Sequence, residues 1–155
     1  MRRGSLGVAA ICAIALSAAI GAQSDPLAGT WKLDVAKSTY KPGPAPKSAT
    51  VAIEAAGKTI KVAVDAVTAD GPMKWGYSST GDGKDVPVTG NPMYDAAAVT
   101  RPSPSESTIV YKKAGKTIAT VKASVAKDGK TMTTTTDGTD AKGQKMHNVA
   151  HYTKQ

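Results

Sequence analysis

TIVYKKAGKTIATVKASVAKDGKTMTTTT, residues 108–136, is the stretch whose reading decides the fold. It holds three runs rich in Val, Ile, Thr and Tyr: Thr108 to Lys112, Thr117 to Val125, and Thr131 to Thr136. Ala114-Gly115-Lys116 separates the first two, and Lys127-Asp128-Gly129-Lys130 the second two. β-Branched and aromatic side chains fit a pleated, half-buried surface, and Gly or Asp-Gly between such runs is the strongest short-range hairpin signal. No 3.6-residue apolar period runs through the stretch, so three antiparallel strands in series are predicted.

The same grammar extends in both directions. Downstream, turns around Asp137-Gly138 and Lys142-Gly143 lead to a last strand, Met146 to Thr153. Upstream, Pro102-Ser103-Pro104-Ser105 precedes the stretch and Ala96 to Arg101 forms a further run. Before it come Asp85-Val86-Pro87-Val88, where Pro87 implies an edge or a bulge, and Met73 to Ser78. Thr50 to Glu54 and Ile60 to Asp65 flank Ala56-Gly57-Lys58, with Val51 and Ile53 on one face and Ile60, Val62 and Val64 on another. The first run is Thr30 to Asp34; Val35 to Tyr40 is expected to hold at most one helical turn, and the proline-rich connector from Lys41 to Pro46 is no central strand. Ala-Gly-Lys-Thr-Ile occurs at 56–60 and again at 114–118, which predicts one turn solution used twice. Short connections make sequence neighbours spatial neighbours, and closing such a meander removes exposed edges. The predicted fold is all-β: an antiparallel up-and-down β-barrel of about 8–10 strands, its interior filled by side chains or holding one small ligand.

The barrel is preceded by a different kind of sequence. Met1-Arg2-Arg3 is a positive start, and Leu6 to Ile20 is almost wholly apolar. As a helix this run would reach roughly 22 Å, short of the ~30 Å hydrocarbon core, and no positive flank follows it. Residues 1–22 therefore read as a cleavable secretory signal, cut after about Ala22 to Ser24, with no stable membrane anchor and a single domain over 25–155. The expected location is the periplasm or the outside of the cell. Arg2-Arg3 does not sit in a twin-arginine pattern, and Cys12 lies in mid-run, where a lipidated cysteine does not belong. Cys12 is the only cysteine, so the mature domain has no thiol nucleophile, thiolate metal site or disulfide and rests on its own core. Removing Arg2 and Arg3 takes the net charge from +8 to +6. The remaining cations are lysines scattered in turns, plus Arg101, without the interleaved aromatic residues of a base-stacking surface; no nucleic-acid partner is expected.

Two motifs carry a resemblance. Gly29-Thr30-Trp31-Lys32-Leu33 opens the first strand and His151-Tyr152-Thr153-Lys154 closes the last. Together they resemble the calycins, the lipocalins and fatty-acid-binding proteins, whose first strand carries Gly-x-Trp and whose last strand closes the barrel beside it. Lys47-Ser48 and Asp128-Gly129-Lys130-Thr131-Met132 are similar to stretches of small secreted lipocalin-like bacterial proteins of unassigned function. The resemblance implies a barrel that binds a small hydrophobic molecule. It departs from the fatty-acid-binding branch at two places: the proline connector stands where that branch has two lid helices, and Ala150 stands where it has a carboxylate-gripping arginine.

The candidate pocket wall is Met73, Trp75 and Tyr77 on one strand face, joined by Tyr111 and Tyr152 from across the barrel. Aromatic rings with polar tips suit a small-molecule site, and the abundance of Ala, Val and Thr leaves room beside them. Trp31 with Gly29 is expected to plug one barrel end. His147 and His151 lie about 13 Å apart on a strand and would point outward if Tyr152 points in, so no metal site is expected. Asp82-Gly83-Lys84-Asp85 and Asp137-Gly138-Thr139-Asp140 read as turns and lack the carboxylate spacing of calcium loops. With two glutamates, Glu54 and Glu106, and no serine–histidine–acid pattern, no enzyme activity or cofactor is expected. Two functions follow: a monomeric lipocalin-like carrier of a small, partly apolar molecule, or a packed barrel that binds proteins (a hydrolase inhibitor or an envelope-associated protein) through the loops Lys41–Pro46 and Gly90–Tyr94.

Overall fold

The computed structural model describes residues 24–155, so the secretory reading of 1–22 lies outside the described residues. Ten antiparallel strands follow one another: β1 (Gly29–Lys41), β2 (Ser48–Ala56), β3 (Thr59–Thr68), β4 (Gly71–Ser79), β5 (Asp82–Pro87), β6 (Ala96–Ser103), β7 (Glu106–Lys113), β8 (Lys116–Val125), β9 (Thr131–Thr139) and β10 (Lys145–Lys154). Their spatial order is β4-β3-β2-β1-β10-β9-β8-β7-β6-β5. Two meanders, β1–β4 and β5–β10, are thus joined by pairing of the first strand with the last, as the resemblance implies.

Period-two alternation sets the inside. Val51 and Ile53 of β2, Ile60 and Val62 of β3, Val99 of β6, and Ile109 of β7 all pack into the interior. The opposite faces carry Lys61 and Asp65 on β3, Lys74 on β4 and Lys122 on β8. Apolar-in and charged-out is the reverse of a lipid-facing barrel.

The ring is not fully closed. β4 and β5 are the end strands, and between them the chain makes one bridge, Gly76 with Thr89, each N–H donating to the other's carbonyl at 3.0 Å. β5 is short, slips register between Asp82 and Asp85, and ends on Pro87, which has no N–H to donate. Glycine lets the backbone come close on both sides of β4. A Cβ on Gly76 would lie 2.5 Å from the Val62 carbonyl oxygen, and one on Gly90 (φ +84°) 2.3 Å from that of Lys74.

Two local expectations are corrected. Val35 to Tyr40 is not a helical turn but the continuation of β1 through a bulge: Asp34 pairs with His151 and Thr39 with Val149, so four residues face one. Ser38 holds the bulge, its Oγ donating to the Asp34 carbonyl at 2.6 Å and accepting from the His151 N–H at 3.0 Å. The two copies of Ala-Gly-Lys-Thr-Ile do not share a turn. In the first, Ala56 pairs with Thr59 around Gly57-Lys58; in the second, Lys113 pairs with Lys116 around Ala114-Gly115. Positive φ falls on Gly57 alone in the first but on both Ala114 and Gly115 in the second. The frame differs by one residue, which flips the faces: Ile60 is buried, whereas its counterpart Ile118 leaves the inward place to Ala119.

Candidate functional site

The barrel interior has a closed end and an open middle. At the closed end Trp31 is fully buried among Leu27, Ala123, Val125 and Met132. Its indole Nε1–H donates to the Leu27 carbonyl at 2.9 Å, so the ring's one polar group is satisfied inside the barrel. The Lys154 ammonium lies 5.0 Å from the centre of the Trp31 ring. Gly29 makes that possible, because a Cβ there (φ +134°) would stand 2.5 Å from Lys154 Cε. The opening Gly-x-Trp and the terminal lysine are thus one structural unit.

Leu27 is held by a latch. Arg101, at the end of β6, donates through both terminal guanidinium nitrogens to the Asp25 carboxylate, and Nη2 also reaches the Pro104 carbonyl. Asp25 in turn accepts the Leu27 N–H at 3.0 Å. Partial burial pushes the Asp25 carboxyl up, but the Arg101 and Leu27 hydrogen bonds and the charges of Arg101 and Lys154 outweigh it, leaving it below the usual carboxylate range. Arg101 is thereby connected to Trp31 through Asp25 and Leu27.

Above Leu27 and Met132 opens a cavity of about 260 Å³. One wall is aliphatic: Val51 and Ile53 of β2, with Ile60, Val62 and Val64 of β3. The next is aromatic. Trp75 and Tyr77 come from β4, Tyr111 from β7, and Tyr94 from the loop between β5 and β6. Trp75 meets Tyr111 edge-on at 5.4 Å between centroids and Tyr94 edge-on at 6.3 Å, while Tyr94 and Tyr111 stack at 4.5 Å with 12° between planes. A polar strip faces this wall: Thr134 and Thr136 of β9 and Asn148 of β10. β9 is five strands from β4 in either direction around the ring, so the strip lies across the cavity from Trp75 and Tyr77. Ser79 and Ser107, both buried, add hydroxyls to the lining.

Among the described residues, no lining side chain is Asp, Glu, Lys, Arg or His. The phenols stay neutral. Burial pushes Tyr77 up to about 12 against a smaller opposing effect of the Tyr111 hydroxyl. Burial first, then the neighbouring Tyr77, Tyr94 and Tyr152, pushes Tyr111 well above its ordinary value, and burial raises Tyr94 and Tyr152 as well.

Of the five pocket-wall residues expected from sequence, Trp75, Tyr77, Tyr111 and Tyr152 line this cavity. Met73 does not. It shares their inward face but pairs with Ala66, at the far end of β4 from Ser79 and beyond the cavity lining. Tyr94 was missed because it sits in a Gly/Asn/Pro loop expected to be exposed; an aromatic residue in such a loop, at Pro92-Met93-Tyr94, was the available signal. Thr134, Thr136 and Asn148 were legible from the same alternation that turns Met132 and Tyr152 inward.

His147 and His151 lie on the other face of β10, where His147 Nδ1 meets Asp137 Oδ1 at 2.6 Å and His151 Nδ1 meets Thr133 Oγ1 at 3.2 Å. Asp82 Oδ1 accepts the Lys84 N–H, and Asp140 Oδ1 those of Lys142 and Gln144, which is Asx-turn chemistry; Asp137-Gly138, expected as a turn, instead continues β9, paired with His147 and Met146. Among the described residues no three His, Cys, Asp or Glu side chains group together.

No family model and no curated protein matches the chain. Among solved structures, it is similar to the siderocalin Ex-FABP, described as functioning through dual ligand specificities. The TM-score is 0.46 at 14% identity, over 84% of this chain and 74% of that one.

Proposed function

We propose that the protein is an exported, lipocalin-like carrier that holds a small, partly apolar molecule inside the barrel. The observation that carries this reading is the cavity of about 260 Å³, bounded by apolar and aromatic side chains with a few hydroxyl and amide groups. Small-molecule sites are built this way, from about 300 Å³ upward, and a dry apolar hole of about 150 Å³ already accepts benzene. A binding role in preference to catalysis is supported by the lining itself. Its hydroxyls have no histidine or carboxylate among the residues around the cavity that would serve as a base. Export is supported by the composition of residues 1–22.

The competing role, a packed barrel acting on proteins through its loops, fits less well. The Gly90–Tyr94 loop that would make such contacts turns Tyr94 onto Tyr111, and the middle of the barrel is open. Native mass spectrometry of the protein recovered from its own compartment tests the choice. A bound mass that leaves on denaturation is the expected result. The bare polypeptide, together with tryptophan fluorescence that ignores every apolar probe, would overturn the carrier role.

A further inference from the structure

Resting on the carrier reading, we infer that the occupant is an uncharged, flat molecule of about two fused rings, carrying a carbonyl or hydroxyl on one edge. Three features of the cavity lead there. The first is size. The space is less than twice the ~150 Å³ hole that takes benzene, so a two-ring skeleton suits it. The second is the absence of charged side chains from the lining among the described residues. An ionised ligand group would be buried with no counter-charge, and burial of an unpaired ion is among the costliest events in a protein. The nearest guanidinium, that of Arg101, is already committed to Asp25.

The third is sidedness. Trp75, Tyr77 and Tyr111 present ring faces and edges with 5.4 to 6.4 Å between centroids, a rigid surface against which a planar molecule packs at little entropic cost. Across from Trp75 and Tyr77 stand Thr134, Thr136 and Asn148. Asn148 Oδ1 accepts the Lys41 N–H at 3.1 Å, which commits the amide oxygen and leaves Nδ2 to donate. Thr136 pairs directly with Asn148 across the ladder, so a hydroxyl and an amide donor sit side by side. Two such donors suit one carbonyl or hydroxyl oxygen, at the edge of a ring whose face lies toward Trp75.

Calorimetric titration of the mature protein near neutral pH with naphthalene, naphthol and naphthoate tests this. These probes share a skeleton and differ only in the edge group. Naphthol is expected to bind about tenfold more tightly than naphthalene, the worth of one or two neutral hydrogen bonds. Naphthoate is expected to bind at least ~100-fold more weakly than naphthol, since its carboxylate must be buried alone. In the doubly isosteric variant Thr134→Val/Thr136→Val, which leaves the Asn148 donor in place, the preference for naphthol over naphthalene should shrink while naphthalene binding persists, a readout that misfolding would not give. Naphthoate binding as well as naphthol overturns the uncharged-ligand inference and leaves the carrier reading standing. The same holds if none of the three binds while native mass spectrometry shows an endogenous ligand. No probe bound and no endogenous ligand sinks both.

Discussion

Trp31 and Trp75 both stand on inward faces of one barrel, yet their surroundings differ in kind. Trp31 is sealed: its exposure is 0%, its N–H is satisfied by Leu27, and its cluster is closed by Ala123, Val125 and Met132. Trp75 is half-buried, ringed at 5.4 to 6.4 Å by three tyrosines, and borders open space. One region is sealed by its neighbours, and the other borders open space behind stiff rings. At about 24 cal/mol per Å³ of residual void, leaving such a hole forgoes several kcal/mol of packing. A ligand that fills it recovers part of that loss.

Alkali should attack the second region most, and with the largest effect. Tyr77, Tyr94 and Tyr111 all gather around Trp75, whereas the Trp31 cluster is wholly apolar but for Tyr152 leaning against it. A phenol whose value is raised in the folded state stays protonated there while its unfolded counterpart ionises. Its contribution is therefore complete below about pH 10 and is lost as the pH climbs through the folded value, about 12 for Tyr77. Tyr77 by itself accounts for roughly 3 kcal/mol of that loss, and Tyr111 adds to it in the same direction. Phenolate absorbance of the native protein should lag free tyrosine, and the denaturant midpoint should fall as the pH rises from about 10 toward about 12. Phenols that titrate like free tyrosine without loss of stability would show that solvent already reaches the rings.

Truncation should rank the two tryptophans the other way. Trp31→Ala removes a fully packed side chain and is expected to cost about 3–5 kcal/mol, while Trp75→Ala, already beside a void, should cost about half as much. Urea denaturation of both variants checks the ratio. Equal costs would mean that the interior around Trp75 is as closely packed as that around Trp31.

The strands and the inward face were readable because the period of two is local, and each run from Thr108 to Thr136 carries its own turn residues. What failed was non-local. Val35 to Tyr40 stays a strand because Thr39, Tyr40 and Lys41 find Val149, Asn148 and His147 on β10, partners more than a hundred residues away. Identical Ala-Gly-Lys-Thr-Ile strings take different turns because the strands they join arrive in different frames, including a register slip between Tyr111 and Lys112 on β7. Trp75, Tyr77, Tyr111 and Tyr152 could be assembled from alternation plus closure. Tyr94 and Arg101 could not, because a loop's inward turn and a latch onto Asp25 leave no periodic trace.

The smallest effect is the most discriminating, because it uses one strand and one methyl group. Val121 and Val125 share the inward face of β8, four residues and about 13 Å apart. Val121 is half-buried and borders the cavity; Val125 is buried among Leu27, Trp31, Ala123 and Met132 and does not border it. Isoleucine keeps the β-branch that the strand favours, so the two substitutions differ only in what the added methyl meets. In Val121→Ile it enters empty space and gains contacts, so stability should hold or rise by up to about 1 kcal/mol. In Val125→Ile it meets a filled cluster pinned by the Trp31–Leu27 hydrogen bond, and overpacking should cost about 1 kcal/mol or more. Binding should respond in the opposite sense: Val121→Ile shrinks the site and weakens the two-ring probes, whereas Val125→Ile leaves their affinity close to that of the parent. Matched losses of stability in both variants would mean that the space beside Trp75 closes up in solution, and the contrast between the two tryptophans would then be one of exposure alone.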